Sequence, residues 1–223
     1  MPIIALASSK GGCGKSTTAL ILASAYLADG YKITIIDADP RKRLFKWFSA
    51  GNAGSGINVI AADVMTLRKS IKEARSSADL VLIDLEGTKN AETTVAVAAA
   101  DYTIVPANPS APDVEDAIET VMLLRSLEDH ERHGVLWCRV PTTFISRESL
   151  ALQAQVAAAR IPIIGGVTER TAYKSMYSFG TTLHGLNPKH VPGLKAARAE
   201  ALVLATQVAE AMRLAQAGEE DNA

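Results

Sequence analysis

The most informative segment of this chain is Lys10-Gly-Gly-Cys-Gly-Lys-Ser-Thr-Thr18. An apolar segment of strand length, Pro2 to Ser8, precedes it, and Thr17 to Ala28 follows as an apolar run of helix length. A glycine-rich turn between a strand and a helix N-terminus is an anion site, because backbone N–H groups and the helix dipole both point at the bound charge. The stretch therefore predicts a phosphate-binding loop near the start of an α/β domain.

The residue types in this loop suit a nucleoside triphosphate. The glycines let the backbone approach a phosphate closely, Lys15 can reach the β- and γ-phosphates, and the Ser16 hydroxyl is placed to ligate a magnesium ion. The nucleotide-binding residues predicted here are Gly11, Gly12, Cys13, Gly14, Lys15, Ser16 and Thr17. The ordinary pattern has glycine where this chain has Ser9, and this chain adds a second lysine, Lys10.

That deviant Walker A motif resembles the motif of the ParA/MinD family of dimerising ATPases. The resemblance implies ATP and Mg²⁺ as cofactors. It also implies an ATP-dependent homodimer, in which Lys10 crosses the interface to the partner's nucleotide. On this basis the predicted catalytic residues are Lys10, Lys15 and Asp39, and the predicted magnesium residues are Ser16, Asp37 and Asp84.

Two further segments extend the resemblance. Asp37-Ala-Asp-Pro40 matches the family's Asp-x-Asp-Pro segment, which implies that Asp39 orients the attacking water and that Asp37 supports the magnesium shell. Asp39 could equally cap the helix that follows Pro40, and both roles can hold at once. Asp84 ends an apolar strand as in a Walker B motif, and Gly87 could offer its N–H to a γ-phosphate.

The composition is that of one globular domain. The 223 residues are 48% apolar and 21% charged, and no apolar run approaches the ~20 residues that a membrane-spanning helix needs. Two cysteines are too few for a disulfide framework, and the first strand follows Met1 directly, so we expect a cytoplasmic protein without a signal peptide. We expect residues 1–217 to form one domain and 218–223 a disordered acidic tail.

Strand and helix patterns alternate, which predicts an α/β fold with a doubly wound, mostly parallel seven-stranded sheet and helices on both faces. The predicted strands are 2–8, 32–37, 57–61, 79–84, 102–105, 135–139 and 161–164. The predicted helices are 17–28, 41–50, 64–75, 91–100, one that follows a loop at 106–112 and ends at 127, 147–159 and 193–216. Since ligands bind beyond the carboxyl ends of such strands, the segments 106–109 and 139–143 are candidates for contacts with the base.

Several charged residues leave alternatives open. The run Arg41 to Lys46 is either a solvated helix face or a cationic surface near a dimer or DNA interface. Glu86 is unexpected beside phosphates, and it could pair with Lys89 or bind the partner subunit. The resemblance implies nonspecific DNA binding through phosphate contacts. The cations in the corresponding region are Lys174, Lys189, His190, Lys195 and Arg198.

The segments Asp39 to Trp47 and Val167 to Met176 resemble two groups within the family, the short ParF-type partition ATPases and the VirC-type DNA-transfer proteins. The first resemblance implies an ATP-bound dimer on the nucleoid. A ParB-like or other DNA-binding activator would stimulate its slow hydrolysis, and the cycle would segregate a plasmid or another DNA element. The alternative is a nucleotide-gated adaptor that recruits a conjugative DNA-processing complex.

Two other roles within the family are disfavoured. A MinD-type membrane role wants a basic amphipathic C-terminal helix, whereas this chain ends in the acidic stretch Gly218 to Asp221. A role like that of the nitrogenase iron protein needs cluster-binding cysteines, and neither Cys13 nor Cys138 supplies that pattern.

Overall fold

The elements are taken from a computed structural model that describes residues 1–49, 56–87, 91–127, 131–141 and 147–220. The strands are β1 (Ile3–Leu6), β2 (Ile33–Asp37), β3 (Ile57–Ala61), β4 (Leu80–Asp84), β5 (Tyr102–Ala107), β6 (His133–Val140) and β7 (Ile163–Thr168). The helices are α1 (Lys15–Ala28), α2 (Arg43–Trp47), α3 (Leu67–Ser77), α4 (Ala91–Ala99), α5 (Ala111–Leu127), α6 (Arg147–Ala158), α7 (Thr171–Phe179) and α8 (Leu194–Glu220).

These strands form one seven-stranded sheet in the order β3-β2-β4-β1-β5-β6-β7. Every pairing between the described strands is parallel, so the predicted α/β class is confirmed and the sheet is more uniform than "mostly parallel". The register places Asp37 at the end of β2 beside Asp84 at the end of β4. Two of the predicted carboxylates therefore meet at the carboxyl edge of the sheet.

Alternation along β1 shows how the sheet is covered on both faces. Ile4 and Leu6 belong to a core cluster with α1 and α8, whereas Ile3 and Ala5 belong to a cluster with α3 and α4 on the opposite face. Successive strand residues point to opposite faces, so a buried parallel strand has to be apolar throughout. A third cluster packs α5 and α6 against β5 and β6.

The segment from 106 to 112 differs from its prediction as a loop. Pro106 and Ala107 continue β5 and pair with β6, and Pro112 lies in the first turn of α5. A proline fits the first helical turn because its missing N–H has no acceptor there. The connection between the strand and the helix is therefore only residues 108–110.

The C-terminal part also differs from its prediction. β7 runs to Thr168 and not to Ile164, because Gly165 and Gly166 lie within the strand and do not end it. A Cβ on Gly165 would lie 2.2 Å from Gln207 Oε1, so the glycine allows α8 to pack closely on β7. α8 extends to Glu220, so residues 218–220 of the predicted disordered tail are helical, and 221–223 lie outside the described residues.

Candidate nucleotide-binding site

The loop between β1 and α1 has the shape that its glycines predict. Gly12 and Gly14 have φ angles of 80° and 116°, in the left-handed region that favours glycine. A Cβ on Gly14 would also lie 2.9 Å from the Cys138 sulfur, so a larger residue would clash with β6. The loop folds around the Lys15 amine, which donates to the carbonyl oxygens of Ser8 at 3.3 Å and Lys10 at 3.0 Å.

Ser16 and Asp84 meet at the start of α1. The Ser16 hydroxyl donates to Asp84 Oδ2 at 2.6 Å, and Asp84 Oδ1 is buried without a hydrogen-bond partner among the described residues. Burial raises the pKa of Asp84 to about 7, against the lowering effect of the Ser16 hydrogen bond. An orphaned carboxylate oxygen beside a hydroxyl is a hard oxygen pair that fits magnesium.

The described residues contain no group of three or more His, Cys, Asp or Glu side chains that could hold a metal by themselves. Magnesium usually keeps several waters and binds through one or two protein oxygens together with substrate phosphates. The pair of Ser16 and Asp84 therefore suits an ion that arrives with a nucleotide.

The two carboxylates after β2 have different surroundings. Asp37 is fully buried, and its two oxygens accept the backbone N–H groups of Asp39 at 3.1 Å and Phe45 at 3.0 Å. Burial raises the pKa of Asp37, although these two hydrogen bonds oppose the shift. Asp39 accepts the Arg41 N–H at 2.7 Å and lines the cleft described below. Asp37 thus braces the turn, and Asp39 is the carboxylate that the turn presents.

Lys42 fits neither interpretation of the run from Arg41 to Lys46, as a solvated helix face or as a cationic surface near an interface. Its amine donates to the carbonyl oxygens of Asp37, at 3.1 Å, and Ala62, at the ends of two neighbouring strands. Its backbone lies in the left-handed region, with φ at 50°. Lys42 is therefore an internal brace of the Asp39 turn, a role that the charge pattern alone did not indicate.

Lys10 and Ser9, the departures from the ordinary loop pattern, both contact α5. The Lys10 amine lies 2.8 Å from Asp113 Oδ2, and the Asp113 hydrogen bond raises the pKa of Lys10. The Ser9 hydroxyl donates to Asp116 Oδ1 at 3.3 Å, and its N–H donates to Thr120 Oγ1 at 3.2 Å. In this single chain Lys10 is therefore held by α5 of the same chain, and its contact with a partner's nucleotide stays a prediction.

A cleft of about 1090 Å³ opens above the loop. It is lined by Ser9, Gly11, Gly12, Gly14, Lys15, Ser16, Thr17, Asp39, Arg41, Arg43, Glu86, Gly87, Asp116, Glu119, Arg139 and Tyr177. The structure thus brings most of the predicted site residues to one cavity. Asp37 and Asp84 lie behind the lining, and Cys13 is buried beneath the loop, 3.8 Å from the Lys15 amine. Lys89, the suggested partner of Glu86, lies outside the described residues.

A second, smaller cavity of about 120 Å³ adjoins the cleft. Both cavities are lined by Gly14, Thr17, Arg139 and Tyr177, and the remaining walls of the smaller one come from α1, β6, the end of β7 and α7. Of the segments expected at the base, Arg139 lines both cavities, residues 142–143 lie outside the described part, and 106–109 lines neither cavity.

Tyr177 is a site residue that the sequence did not reveal, because nothing local marks it. Its side chain lines both cavities beside Thr17, and its ring centroid lies 6.3 Å from that of Trp47. The Trp47 Nε1 donates to the Met176 carbonyl at 3.3 Å. α7 therefore links the phosphate-binding loop to α2, the helix that follows the Asp39 turn.

Comparison with known proteins agrees with this geometry. The model of the VirC1 protein family matches residues 1–220. The chain belongs to the VirC1 family. It is 30% identical to protein ParA of Rhizobium radiobacter, over 96% of this chain and all of that protein. It is also 30% identical to the maintenance of carboxysome distribution protein A of Gloeobacter kilaueensis, over 89% of each chain.

The fold agrees as well. The solved ATP complex of a Cyanothece McdA variant superposes with a TM-score of 0.75 at 21% identity, covering 95% of this chain and 96% of that one. The predicted resemblance to the ParA/MinD superfamily is confirmed, and with it the P-loop fold and membership in a family of partition ATPases. Among the described residues, no helix is both long enough and apolar enough to cross a membrane.

The cations in the C-terminal part of this VirC1-family chain differ in their surroundings. Arg198 donates to the carbonyl oxygens of Leu183 at 3.0 Å, Leu186 at 3.2 Å and His184 at 3.3 Å, so it holds a turn together. The exposed Lys174 pairs with Glu169 at 2.7 Å. The remaining cations of the region that the family resemblance links to DNA binding, Lys189, His190 and Lys195, are exposed.

Proposed function

We propose that this chain binds ATP with Mg²⁺ in the cleft and hydrolyses it slowly, and that an ATP-bound dimer carries the output. The observation that supports this proposal most is the arrangement at the start of α1. There the loop encloses the Lys15 amine, and the Ser16 hydroxyl bonds to a carboxylate that has one oxygen left over. Family membership supports the ATPase assignment independently.

The two adjoining cavities suit the two ends of a nucleotide. The larger cleft offers glycine backbone, Lys15 and two arginines, Arg41 and Arg43, to a triphosphate. The smaller cavity offers Ile21, Val167 and Tyr173 to an apolar base. Because both cavities meet at Gly14 and Thr17, a nucleotide can cross from one to the other without a break in contact.

Ser16 and Asp84 are the residues that would hold magnesium in this proposal, Ser16 directly and Asp84 through a water. When bound, the ion would neutralise part of the phosphate charge. Asp37 takes a supporting role, because both of its oxygens already accept backbone N–H groups. It fixes the turn whose next carboxylate faces the cleft.

Asp39 is proposed to orient the attacking water. It lies on the cleft wall, and its turn is held by Asp37 on one side and by the Lys42 amine on the other. Phosphoryl transfer depends on positioning and charge stabilisation, so a carboxylate on a braced turn is suited to that task. Gly87 lines the same cleft, and we propose that it offers its N–H to the terminal phosphate.

Lys10 is proposed to reach the nucleotide of a second copy when ATP is bound. It must first leave Asp113, which is buried and also accepts the Ser110 hydroxyl at 2.5 Å and the Asn108 amide at 2.9 Å. The Asp113 carboxylate remains partly satisfied after Lys10 departs. The ion pair therefore separates two positions of Lys10, an internal one and a crossing one.

We assign to the dimer a nonspecific contact with DNA, a nucleoid location and release through an activator of the ParB type. Exposed Lys189, His190 and Lys195 are candidate phosphate contacts. The relatives named ParA support cargo segregation or positioning, and the match to the VirC1 family model supports the alternative of an adaptor for DNA transfer.

Phosphate release from ATP, measured with and without Mg²⁺, tests the catalytic part of the proposal. Lys15→Ala should lose nucleotide binding or turnover, because its amine is at the centre of the loop. Exposed Lys32→Ala provides a matched control at a distance from the cleft. Normal turnover by Lys15→Ala would overturn the assignment of the loop.

A further inference from the structure

Glu200, on α8, carries a dense set of hydrogen bonds. Its carboxylate accepts the Thr168 hydroxyl at 2.8 Å, the Thr168 N–H at 3.2 Å, and the Arg170 Nε and Nη2 groups at 3.0 and 3.3 Å. It also accepts the Tyr173 hydroxyl. The donors come from the end of β7, the connection after it and the first turn of α7. One half-buried side chain therefore holds three consecutive pieces of the chain together.

All three donor residues line the smaller cavity, whereas Glu200 itself does not. We propose that Glu200 is a positioning residue for the nucleotide base, acting through Thr168, Arg170 and Tyr173. This inference rests on the proposed function, which places the base in that cavity. It also makes α8 part of the nucleotide site, although α8 contributes no lining residue to either cavity.

Each of these donors would lose a partner without Glu200. The Arg170 guanidinium is three-quarters buried in its side chain, and two of its nitrogens contact the two Glu200 oxygens, which is a geometrically specific, charge-assisted contact. The Tyr173 hydroxyl belongs to a buried residue. Without Glu200, a charge and a hydroxyl would lose their strongest partner, and the cavity wall that they form would relax.

Paired binding measurements of ATP and inorganic tripolyphosphate, each with Mg²⁺, test the inference. Tripolyphosphate occupies the phosphate loop but has no base. Glu200→Ala should weaken ATP binding by about tenfold and leave tripolyphosphate binding unchanged, and Glu200→Gln, which keeps one acceptor oxygen, should fall between. Glu210→Ala is the matched control, since Glu210 lies on the same helix and pairs only with exposed Arg213 among the described contacts.

The outcomes separate the possible roles. Equal weakening of ATP and tripolyphosphate would mean a merely structural role, and no weakening of either would mean no role, so both contradict the inference. If the unaltered protein bound both ligands equally tightly, the base would gain nothing from the cavity, and the proposed placement of the base would fail instead. If Glu200→Ala does not fold, Glu200→Gln gives the same comparison.

Hydrogen exchange offers an independent measurement. Coupling between a site and a helix is reciprocal, so a base that stabilises the cavity wall should also stabilise the helix held by that wall. ATP should slow amide exchange around Glu200 more than tripolyphosphate does in the unaltered protein, and the difference should be smaller in Glu200→Gln. An equal effect of both ligands would contradict the coupling.

Discussion

Two aspartates that end neighbouring strands have different roles in this site. Asp37 and Asp84 are register partners, and burial raises the pKa of both carboxyl groups. Both Asp37 oxygens accept hydrogen bonds from backbone N–H groups, whereas one Asp84 oxygen has no hydrogen-bond partner among the described residues. The first residue therefore shapes the turn, and the second retains capacity for a ligand.

At the same scale, substitutions of Asp39 and of Asp84 should have different effects on ATP binding and hydrolysis. Asp39→Ala should slow ATP hydrolysis by about 100-fold and leave ATP binding intact, because Asp39 lines the cleft and its carboxylate accepts the Arg41 N–H within its own turn. Asp84→Ala should weaken magnesium-dependent ATP binding. Titration of labelled ATP together with single-turnover hydrolysis separates the two effects. Loss of binding in Asp39→Ala would contradict the assignment of roles.

Lys42 supports a second prediction for a single residue. Lys42→Met removes the donor to the carbonyls of Asp37 and Ala62, so it should lower the free energy of unfolding by about 1–3 kcal/mol and reduce turnover. Lys46→Met is the matched control, because Lys46 lies exposed in the same cationic run. Urea denaturation and phosphate release measure the two effects. Equal behaviour of both variants would show that Lys42 is an ordinary surface lysine.

At the scale of elements, α5 restrains the phosphate loop. Asp113→Asn should free Lys10 and allow the ATP-dependent dimer to form at lower ATP concentration, because the ion pair is absent. Glu115→Gln makes the same charge change at an exposed position of α5. Light scattering during an ATP titration distinguishes the variants. A weaker dimer in Asp113→Asn would mean that Asp113 supports the crossing lysine instead of restraining it.

The link from α8 to α7 and β7 has a pH dependence with a definite sign. Although burial raises the pKa of Glu200, hydrogen bonds from Arg170, Tyr173 and Thr168 outweigh it and hold the pKa below its ordinary value. Such a group stabilises the fold above the pKa of an unfolded glutamate, near 4.3, and loses that contribution as the pH falls through the lowered value. The Tm difference between the unaltered protein and Glu200→Gln should therefore be larger at neutral pH than in acid. A difference that grows in acid would contradict this sign.

Some elements could be predicted from the sequence and others could not. β1, the loop and α1 were predictable because apolar runs and glycines mark them locally, and β3 was predicted with its bounds as found. β7 was cut short because its paired glycines look like a break, and α7 was missed. The positions of glycines in a strand are decided by what packs on them, here α8, and that is not local information.

The site shows the same division. The motifs predicted the loop residues and the three aspartates, because the carboxyl ends of parallel strands always meet at one edge. Lys42, Tyr177 and Glu200 were not predicted, since their roles depend on partners 20 or more positions away, such as Ala62 for Lys42. Long-range contacts of this kind can be predicted only when the order of the strands in the sheet is known.

At the scale of the whole molecule, the proposed contact with DNA should depend on electrostatic attraction. Because the net charge is only −1, the proposed DNA affinity should come from local cations and should fall steeply as salt rises. The affinity should vary little between unrelated duplexes, since phosphate contacts carry no sequence information. Strong preference for one duplex would favour a site-specific adaptor over a cargo-positioning ATPase.

DNA binding in each nucleotide state would show whether ATP controls the proposed output of this chain. Fluorescence anisotropy of a labelled duplex at low salt should show tight binding with a slowly hydrolysed ATP analogue and Mg²⁺, and weak binding with ADP. The difference should vanish in Lys15→Ala, which retains the exposed cations but lacks the amine at the centre of the loop. Identical DNA affinity with ADP and with the ATP analogue in the unaltered protein would contradict the account.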